Sequence, residues 1–153
     1  MSYWLFKSEP ETFSIDALAK MPKKTEHWDG VRNYQARNML RDQIKVGDQG
    51  FFYHSNCSPP GIVGTVEIVR SGYPDDSSWN LESDYFDPKS TPENPRWFMV
   101  DVKFKEKFNN IISLDELKKH PQLENMAVTR QGSRLSITPV TANEWKIILG
   151  MAK

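Results

Sequence analysis

The sequence has little cysteine and no long hydrophobic run, and each shortage argues against a class of protein. Its one cysteine, Cys57, cannot form an internal disulfide, which is typical of a reducing compartment. The longest apolar runs, Tyr3 to Phe6 and Trp97 to Val100, have four residues each, whereas a membrane-spanning helix needs roughly 20. No basic segment followed by an apolar stretch opens the chain. We therefore expect a cytoplasmic protein, nucleoid-associated if its source is bacterial, that has no membrane partner.

The sequence also lacks a net charge. Its 20 basic and 20 acidic residues cancel, which argues against a protein held to nucleic acid by an overall basic field. Local imbalance remains, because residues 71–96 contain six acids and two bases, and residues 23–45 contain six bases and three acids. The basic excess fits either a solvated helix face or a shallow surface that follows a nucleic-acid backbone.

Signatures of catalysis and metal binding are scarce. The three histidines are scattered, and there is no Cys-x-x-Cys pair, phosphate loop or dinucleotide fingerprint. His54 and Cys57 lie close enough in sequence to form a thiolate pair in principle, but a turn cysteine beside a strand histidine commonly has no chemical role. We expect no catalytic residue, no metal and no cofactor.

The hydrophobic pattern predicts a single α+β domain over residues 1–153. Short aromatic and β-branched runs indicate strands, and capping residues mark helix starts. The sheet should have about five to six strands with short helices between them and no repeating βαβ unit, so it should curl. The predicted strands are 3–7, 49–54, 62–69, 97–107 and 135–138, and the predicted helices start at Ser14, Asn33, Ser113 and Thr141.

The interval 71–96 has four prolines and no clear period. Such a long irregular stretch is unusual inside a compact domain. Its aromatic residues are too many for a solvated linker, so we expect it to fold over the sheet, either as a lid or as a buttress.

Three segments, 27–34, 51–56 and 129–134, combine aromatic rings with hydrogen-bonding side chains. Trp28 lies in a polar stretch before a predicted helix, where its indole can either pack in the core or recognise a ligand. Aromatic faces stack on nucleobases with roughly 1–3 kcal/mol per base, while amide, hydroxyl and backbone groups can read the base edge.

Together these segments resemble the EVE domain family of the PUA-like superfamily. The resemblance is carried by residues 3–10, 28–38, 51–56, 60–64, 97–102, 113–117, 130–136 and 139–141, nearly the whole chain. It implies a PUA-like curled mixed sheet or pseudo-barrel, similar to that of YTH domains, which hold a methylated adenine in an aromatic cage. It further implies a non-enzymatic module that recognises a modified nucleobase, with a modified cytosine as the first candidate and DNA favoured over RNA. We also expect the protein to be a monomer.

By the same resemblance, Trp28 is a cage wall and Trp79 a second wall. Arg32 and Arg37 would contact flanking phosphates, and Arg130 would do so as well. We expect Trp28→Ala to remove any base preference and to leave the fold intact. The remaining residues of the implied pocket and its rim are Ser8, Asn33, Tyr53, Ser55, Arg130, Gln131 and Ser133.

Two other functions fit the same residues. The pocket could serve a small-molecule enzyme or sensor acting on a nucleoside or nucleotide. The acidic interval 71–96 could instead dock a partner protein.

Overall fold

A six-stranded mixed sheet forms the centre of the protein, for which the computed structural model describes residues 1–130 and 135–152. The spatial order is β2-β5-β4-β3-β1-β6. β1 and β3 are parallel, and the other neighbouring pairs are antiparallel. The α+β prediction is confirmed, but β2 and β6 lie at the two edges, so the described strands form an open sheet and not a closed barrel. The strands are β1 Tyr3–Ser8, β2 Thr25–Trp28, β3 Gln49–His54, β4 Gly61–Pro74, β5 Phe98–Ser113 and β6 Ile137–Val140.

Two strands are longer than their sequence pattern predicts. β4 has 14 residues and β5 has 16, and their pairing shifts register at several points. Such bulges place an extra residue in one strand and increase its twist, so they interrupt the apolar alternation by which strands are recognised in sequence. The first four residues of the interval 71–96 are consequently the end of β4 and not loop.

The edge strand β2 was missed by the sequence reasoning. Its residues Thr25-Glu26-His27-Trp28 are mostly polar, and only Trp28 is buried. It is a strand because it pairs with β5, with Trp28 opposite Val100. Pairing with a strand far along the chain overrides the weak local preference of these residues.

The helices begin where their capping residues predict. The side chains of Ser14, Asn33, Ser113 and Thr141 each accept a backbone N–H of the following turn. Within the described ranges no helix is long and apolar enough to cross a bilayer. The helices are α1 Ile15–Ala19, α2 Tyr34–Asn38, which continues as one π turn over Met39–Gln43, α3 Leu114–Lys118 and α4 Ala142–Met151.

Apolar side chains cover both faces of the sheet. On one face, which we call the α1/α2 face, Phe6, Trp28 and Phe52 pack with residues of α1 and α2. On the other, the α3/α4 face, Leu5 and Phe51 pack with residues of α3 and α4. Alternate residues of β1 and β3 thus point to opposite cores, as a strand period of two requires.

The remainder of the interval 71–96 is irregular but internally bonded. Its buried polar residues are Asp75, Ser78 and Ser90. The Ser78 hydroxyl donates to the Asp75 carbonyl at 2.7 Å and lies 2.9 Å from the Ser90 hydroxyl. The Trp97 indole N–H donates to Asp87 at 2.7 Å, and this bond is the chief reason that the pKa of Asp87 is lowered. These bonds give the segment a defined shape over the end of the sheet.

Candidate functional site

A cavity of about 400 Å³ opens where the ends of β1 and β2 meet the irregular residues 75–96, which we call the middle segment. Its volume lies within the 300–1,000 Å³ range that is usual for small-molecule sites. Its lining combines aromatic rings with charged and hydroxyl groups. The lining residues are Lys7, Ser8, Thr12, Phe13, Glu26, His27, Trp28, Asp29, Gly30, Val31, Arg32, Tyr85 and Ser136.

Trp28 belongs to both the pocket and the core. Its side chain is 8% exposed, and its ring packs edge-to-face with Phe6 and Phe52 at centroid distances of 5.3 and 5.5 Å. The indole was expected in an irregular stretch, whereas it ends an edge strand. Since removing it would empty part of the core, the expectation that Trp28→Ala leaves the fold intact is not supported by the structure.

The indole N–H of Trp28 also differs from the indole N–H groups of Trp4 and Trp97 in its hydrogen bonding. The indole N–H groups of Trp4 and Trp97 donate to Asp48 and Asp87 at 3.0 and 2.7 Å. Among residues 1–130 and 135–152, none accepts a hydrogen bond from the Trp28 indole. Unlike the indole N–H groups of Trp4 and Trp97, that of Trp28 is therefore not engaged by any of the described residues.

Tyr85 forms a second aromatic wall. It is 39% exposed and comes from the middle segment. Gly30, at φ +74°, lies against it, and a Cβ on Gly30 would stand 2.6 Å from the tyrosine ring. Both the positive φ and the close approach require glycine at this position. The Trp79 predicted as the second wall is not among the lining residues.

Arg32 connects the pocket to the segment that carries Tyr85. Its guanidinium pairs with the fully buried carboxylate of Asp75 at 3.1 Å and donates to the Tyr85 carbonyl at 2.7 Å. The same carboxylate accepts the Gly30 N–H at 2.9 Å. The Arg32 guanidinium also lies 5.6 Å from the Tyr85 ring centroid. Arg32 was predicted to contact a flanking phosphate; in the structure it lines the pocket, and its guanidinium is engaged by Asp75 and the Tyr85 carbonyl, so it positions the wall.

Charged groups line the mouth of the pocket. His27 Nδ1 lies 2.9 Å from Glu26 Oε1, and His27 Nε2 lies 3.6 Å from Asp29 Oδ2. Burial raises the pKa of Asp29, and the nearby His27 offsets part of that rise. Asp29 is therefore a desolvated carboxyl whose charge is only partly balanced by the protein, so a bound donor can improve its environment.

Ser8, to which the family resemblance assigned a pocket role, lines this cavity. Its hydroxyl donates to the Phe13 carbonyl at 2.8 Å, which leaves its oxygen able to accept. Ser55 is adjacent, since its N–H donates to the Ser8 carbonyl at 3.0 Å, but it is not among the lining residues.

Other predicted site residues lie elsewhere. The Asn33 side chain accepts the Ala36 N–H at 3.0 Å and so caps α2. Tyr53 packs in the α3/α4 face, opposite to Phe52 and Trp28, and burial raises its pKa to about 12. The family resemblance implied a pocket role for Tyr53, but adjacent strand residues point to opposite faces, so Tyr53 lies on the face opposite to Phe52 and Trp28.

The remaining basic and polar candidates are distributed as follows. Arg37 lies on α2 outside the cavity lining, and its guanidinium donates to the Arg96 carbonyl at 2.9 Å. Arg130 is exposed and donates to Asn125 at 3.3 Å. Gln131 and Ser133 lie outside the described residues, and their predicted roles stay predictions.

The alternative nucleophile is not assembled. His54 Nε2 accepts the Ile15 N–H at 3.2 Å and so satisfies the start of α1, and burial lowers the pKa of His54. The Cys57 thiol instead donates to the Pro59 carbonyl at 3.5 Å. In the described part of the chain, no three histidine, cysteine or acidic side chains are grouped for a metal ion.

Tyr85, Gly30 and Asp29 are pocket residues that the sequence reasoning did not assign. Asp29-Gly30 follows Trp28 directly, and this turn-forming pair beside an unplaced tryptophan was a usable signal. Tyr85 had no comparable signal in the sequence, because it is one of several aromatic residues in the middle segment.

Comparison with known proteins places this geometry in a family. Residues 2–151 match the EVE domain. Human thymocyte nuclear protein 1 is 46% identical over 168 residues, which cover 98% of this chain and 73% of that protein. An uncharacterised protein of Schizosaccharomyces pombe is 45% identical and is covered over 68% of its length, with 99% of this chain aligned.

Solved structures agree with this assignment. A Pseudomonas syringae protein superposes with a TM-score of 0.94 at 46% identity, covering 99% of this chain and all of the other. Human thymocyte nuclear protein 1 in complex with DNA containing 5-methylcytosine superposes with a TM-score of 0.93 at 45% identity, covering 100% of this chain and 98% of that one. With a match along nearly its whole length in both sequence and structure, this chain belongs to the EVE domain family.

Proposed function

We propose that this protein is a binding module that holds a modified cytosine of DNA, with 5-methylcytosine as the first candidate, between Trp28 and Tyr85. The observation that carries the proposal is the cavity between a core indole and a tethered tyrosine ring. Support also comes from the similar human protein, whose structure contains DNA with 5-methylcytosine. The proposal includes no chemical step.

The base must leave its stack to enter the pocket. A cavity lined by rings and charged groups at the end of a sheet cannot admit a base that remains paired within a duplex, so the nucleotide is swung out. Unstacking costs a few kcal/mol, and aromatic contact returns roughly 1–3 kcal/mol per base. Trp28 supplies a wall that is already ordered by the core, so little conformational entropy is lost there on binding.

The methyl group alone gives little selectivity. Burying one methyl contributes about 0.8 kcal/mol, which is roughly a fourfold preference. Polar groups must therefore reject the wrong bases. A base that leaves a buried hydrogen-bonding group without a partner is penalised by roughly 1–3 kcal/mol.

Asp29 is the group best placed to read cytosine. Cytosine carries an exocyclic amine that donates, and carboxylates accept from this amine in protein–DNA complexes, whereas thymine presents a carbonyl oxygen at the same position. The partly buried carboxylate of Asp29 would gain a hydrogen bond from cytosine and face repulsion from thymine. Because an ionised carboxylate is a stronger acceptor than a neutral carboxyl group, affinity should fall as Asp29 is protonated in acid.

A binding experiment with paired DNA probes tests the proposal. Fluorescent 12-mer duplexes carry one central cytosine, 5-methylcytosine or thymine, and anisotropy gives the affinity of each. We expect the methylated duplex to bind most tightly. Tyr85→Ala should lower its affinity roughly 10-fold, since one stacking wall is removed.

Phe86→Ala is the matched control for Tyr85→Ala. Phe86 is 38% exposed and Tyr85 39%, but of the two only Tyr85 lines the cavity. Equal losses in both variants, or equal binding of methylated and unmethylated duplexes by the unaltered protein, would contradict the proposal. So would saturation by free 5-methyl-2′-deoxycytidine at the affinity of the duplex, or conversion of the probe detected by mass spectrometry, since either points to a small-molecule site or an enzyme.

A further inference from the structure

A group of stacked aromatic rings and guanidinium groups adjoins the pocket and has no part in lining it. Tyr34, the first residue of α2, is 50% exposed and stacks on the buried Trp97, with ring centroids 4.9 Å apart and planes at 24°. The Arg37 and Arg96 guanidinium groups lie 4.9 and 5.9 Å from the centroid of Tyr34. We call Tyr34, Arg37 and Arg96 the Tyr34 cluster.

From this arrangement we propose that the Tyr34 cluster is a second binding site that holds a phosphate of the DNA strand flanking the recognised base. The inference rests on the proposed function of the pocket, because it places the neighbouring nucleotides of the same strand. Guanidinium groups suit this task, since their planar donors match a phosphate in two-pronged geometry.

The cluster is at the right distance from the pocket. Arg32 lines the cavity, and its guanidinium lies 5.3 Å from the Trp97 centroid. Tyr34 stacks on the same indole, so the Arg32 guanidinium and the Tyr34 ring are at most about 10 Å apart. At a rise of roughly 3.4 Å per nucleotide in stacked DNA, that separation is at most about three nucleotides, and a strand extended beyond this rise covers it with the two nucleotides beside the recognised base.

The charges of the cluster are available for binding, whereas that of Arg32 is not. Arg32 is paired with the buried Asp75. Within the described residues, Arg37 has no carboxylate partner, and its guanidinium donates to the Asn38 side chain and the Arg96 carbonyl at 2.9 Å each. Arg96 has one acidic neighbour, Asp87, at 3.6 Å, a distance at which a partly exposed pair is weak.

Stacking keeps the guanidinium groups in place before a ligand arrives. An arginine held against an aromatic ring has lost part of its rotamer freedom already, so binding a phosphate costs less entropy. This makes the cluster different from an ordinary solvated basic surface, such as the end of α3, where Lys118 and the C-cap residue Lys119 are exposed.

The test uses two probes that share the base and differ in backbone. One is the nucleoside 5-methyl-2′-deoxycytidine, and the other is a single-stranded DNA pentamer with 5-methylcytosine at its centre. Arg37→Ala should weaken the pentamer roughly 5- to 10-fold and leave nucleoside binding unchanged. The slope of log affinity against log salt for the pentamer should fall by about 0.7, the value for one single-strand phosphate contact.

Three further variants sharpen the test. Arg96→Ala should act in the same direction with a smaller loss, because the weak pair with Asp87 at 3.6 Å offsets part of its charge. Arg37→Lys keeps the positive charge but lacks the planar guanidinium group, so its pentamer affinity should lie between those of Arg37→Ala and the unaltered protein. Lys118→Ala is the control, since it also removes one positive charge, and it should leave the affinity for both probes unchanged.

The outcomes separate this inference from the proposed function. If the unaltered protein binds neither probe, the proposed function and this inference both fail. If it binds both probes but Arg37→Ala and Arg96→Ala leave pentamer affinity and salt slope unchanged, the Tyr34 cluster is not a phosphate site. Equal weakening by Lys118→Ala would show a general charge effect and would also overturn it. Should Arg37→Ala lower the melting temperature enough to prevent measurement, Arg96→Ala and Arg37→Lys decide in the same assay.

Discussion

Trp28 and Tyr85, two of the aromatic residues that line the pocket, are held in place by opposite means. Trp28 ends a strand and packs against Phe6 and Phe52, so hydrophobic burial fixes it. Tyr85 belongs to an irregular segment and is more than one-third exposed. Its position depends on Arg32, Asp75 and Gly30, that is, on one ion pair, a few hydrogen bonds and a glycine contact.

This difference shows how a rigid sheet can present an adjustable site. A wall within the core cannot move without disturbing the fold, because interiors are close-packed. A wall held by polar contacts can shift at a cost of a few kcal/mol. We therefore expect changes at Trp28 to affect stability and binding together, and changes around Tyr85 to affect mainly binding.

The largest effect is expected from Trp28→Ala. Truncating a buried tryptophan costs about 3–5 kcal/mol of the free energy of unfolding, through lost burial and an unfilled cavity. Binding of the methylated duplex should be lost as well. Urea denaturation measures the first effect and anisotropy the second. Tyr85→Ala is the comparison, for which we expect a stability change below about 1 kcal/mol because the ring is 39% exposed. If Trp28→Ala proves as stable as the unaltered protein, the indole is not a core residue and the contrast fails.

The next largest effect is expected from Asp75→Asn. The carboxylate accepts from Arg32 and from the Gly30 N–H and is fully buried. Hydrogen bonds to charged groups contribute about 1.5–3 kcal/mol, and the neutral amide would keep only part of that. Stability should fall by that order, and duplex affinity should fall with it because Tyr85 is no longer held. Asp84→Asn, on the exposed part of the same segment, should change neither quantity.

The sequence predicts more of the fold than of the pocket. Helix starts at Ser14, Asn33, Ser113 and Thr141 follow from capping, a local interaction that sequence spacing records. β2 is held by non-local pairing, and the bulged extensions of β4 and β5 break the apolar alternation, so neither could be recognised from local pattern.

The pocket was predicted only in part, because contacts between residues far apart in the chain assemble it. Trp28 and Ser8 lie on or beside recognisable motifs. Tyr85 is brought to Gly30 across 55 positions of chain by Asp75 and Arg32, and no sequence pattern encodes which of several aromatics makes that contact. Tyr53 illustrates the reverse case, since it lies within a family-like motif but points to the α3/α4 face.

A third prediction concerns the glycine between the two walls. Gly30→Ala places a methyl group in a left-handed conformation, which costs about 1–2 kcal/mol, and into contact with the Tyr85 ring. Duplex affinity should fall because the ring is displaced. The double variant Gly30→Ala with Tyr85→Ala should bind no more weakly than Tyr85→Ala alone, since the two changes remove the same wall. Additive losses in this double-mutant cycle would show that Gly30 does not act through Tyr85.

The smallest expected effect is on the pH dependence of stability, through Asp29. Burial raises its pKa above the ordinary value of 3.8, so between that value and the raised one the folded state holds the proton more firmly than the unfolded state. Stability therefore falls as pH rises through this window, and at neutral pH the buried carboxylate opposes folding. Asp29→Asn should melt slightly higher than the unaltered protein at pH 7, and the gain should shrink on acidification below the window.

The same variant should bind cytosine probes more weakly, because an amide is a poorer acceptor for the exocyclic amine than a carboxylate. A variant that gains stability while losing affinity would separate recognition from folding at one residue of the pocket, as Tyr85→Ala separates them at one wall. Melting curves and anisotropy at matched pH test both parts. Lower stability of Asp29→Asn at pH 7 would mean that His27 more than compensates for burial, and unchanged cytosine affinity would remove Asp29 from the recognition of the base.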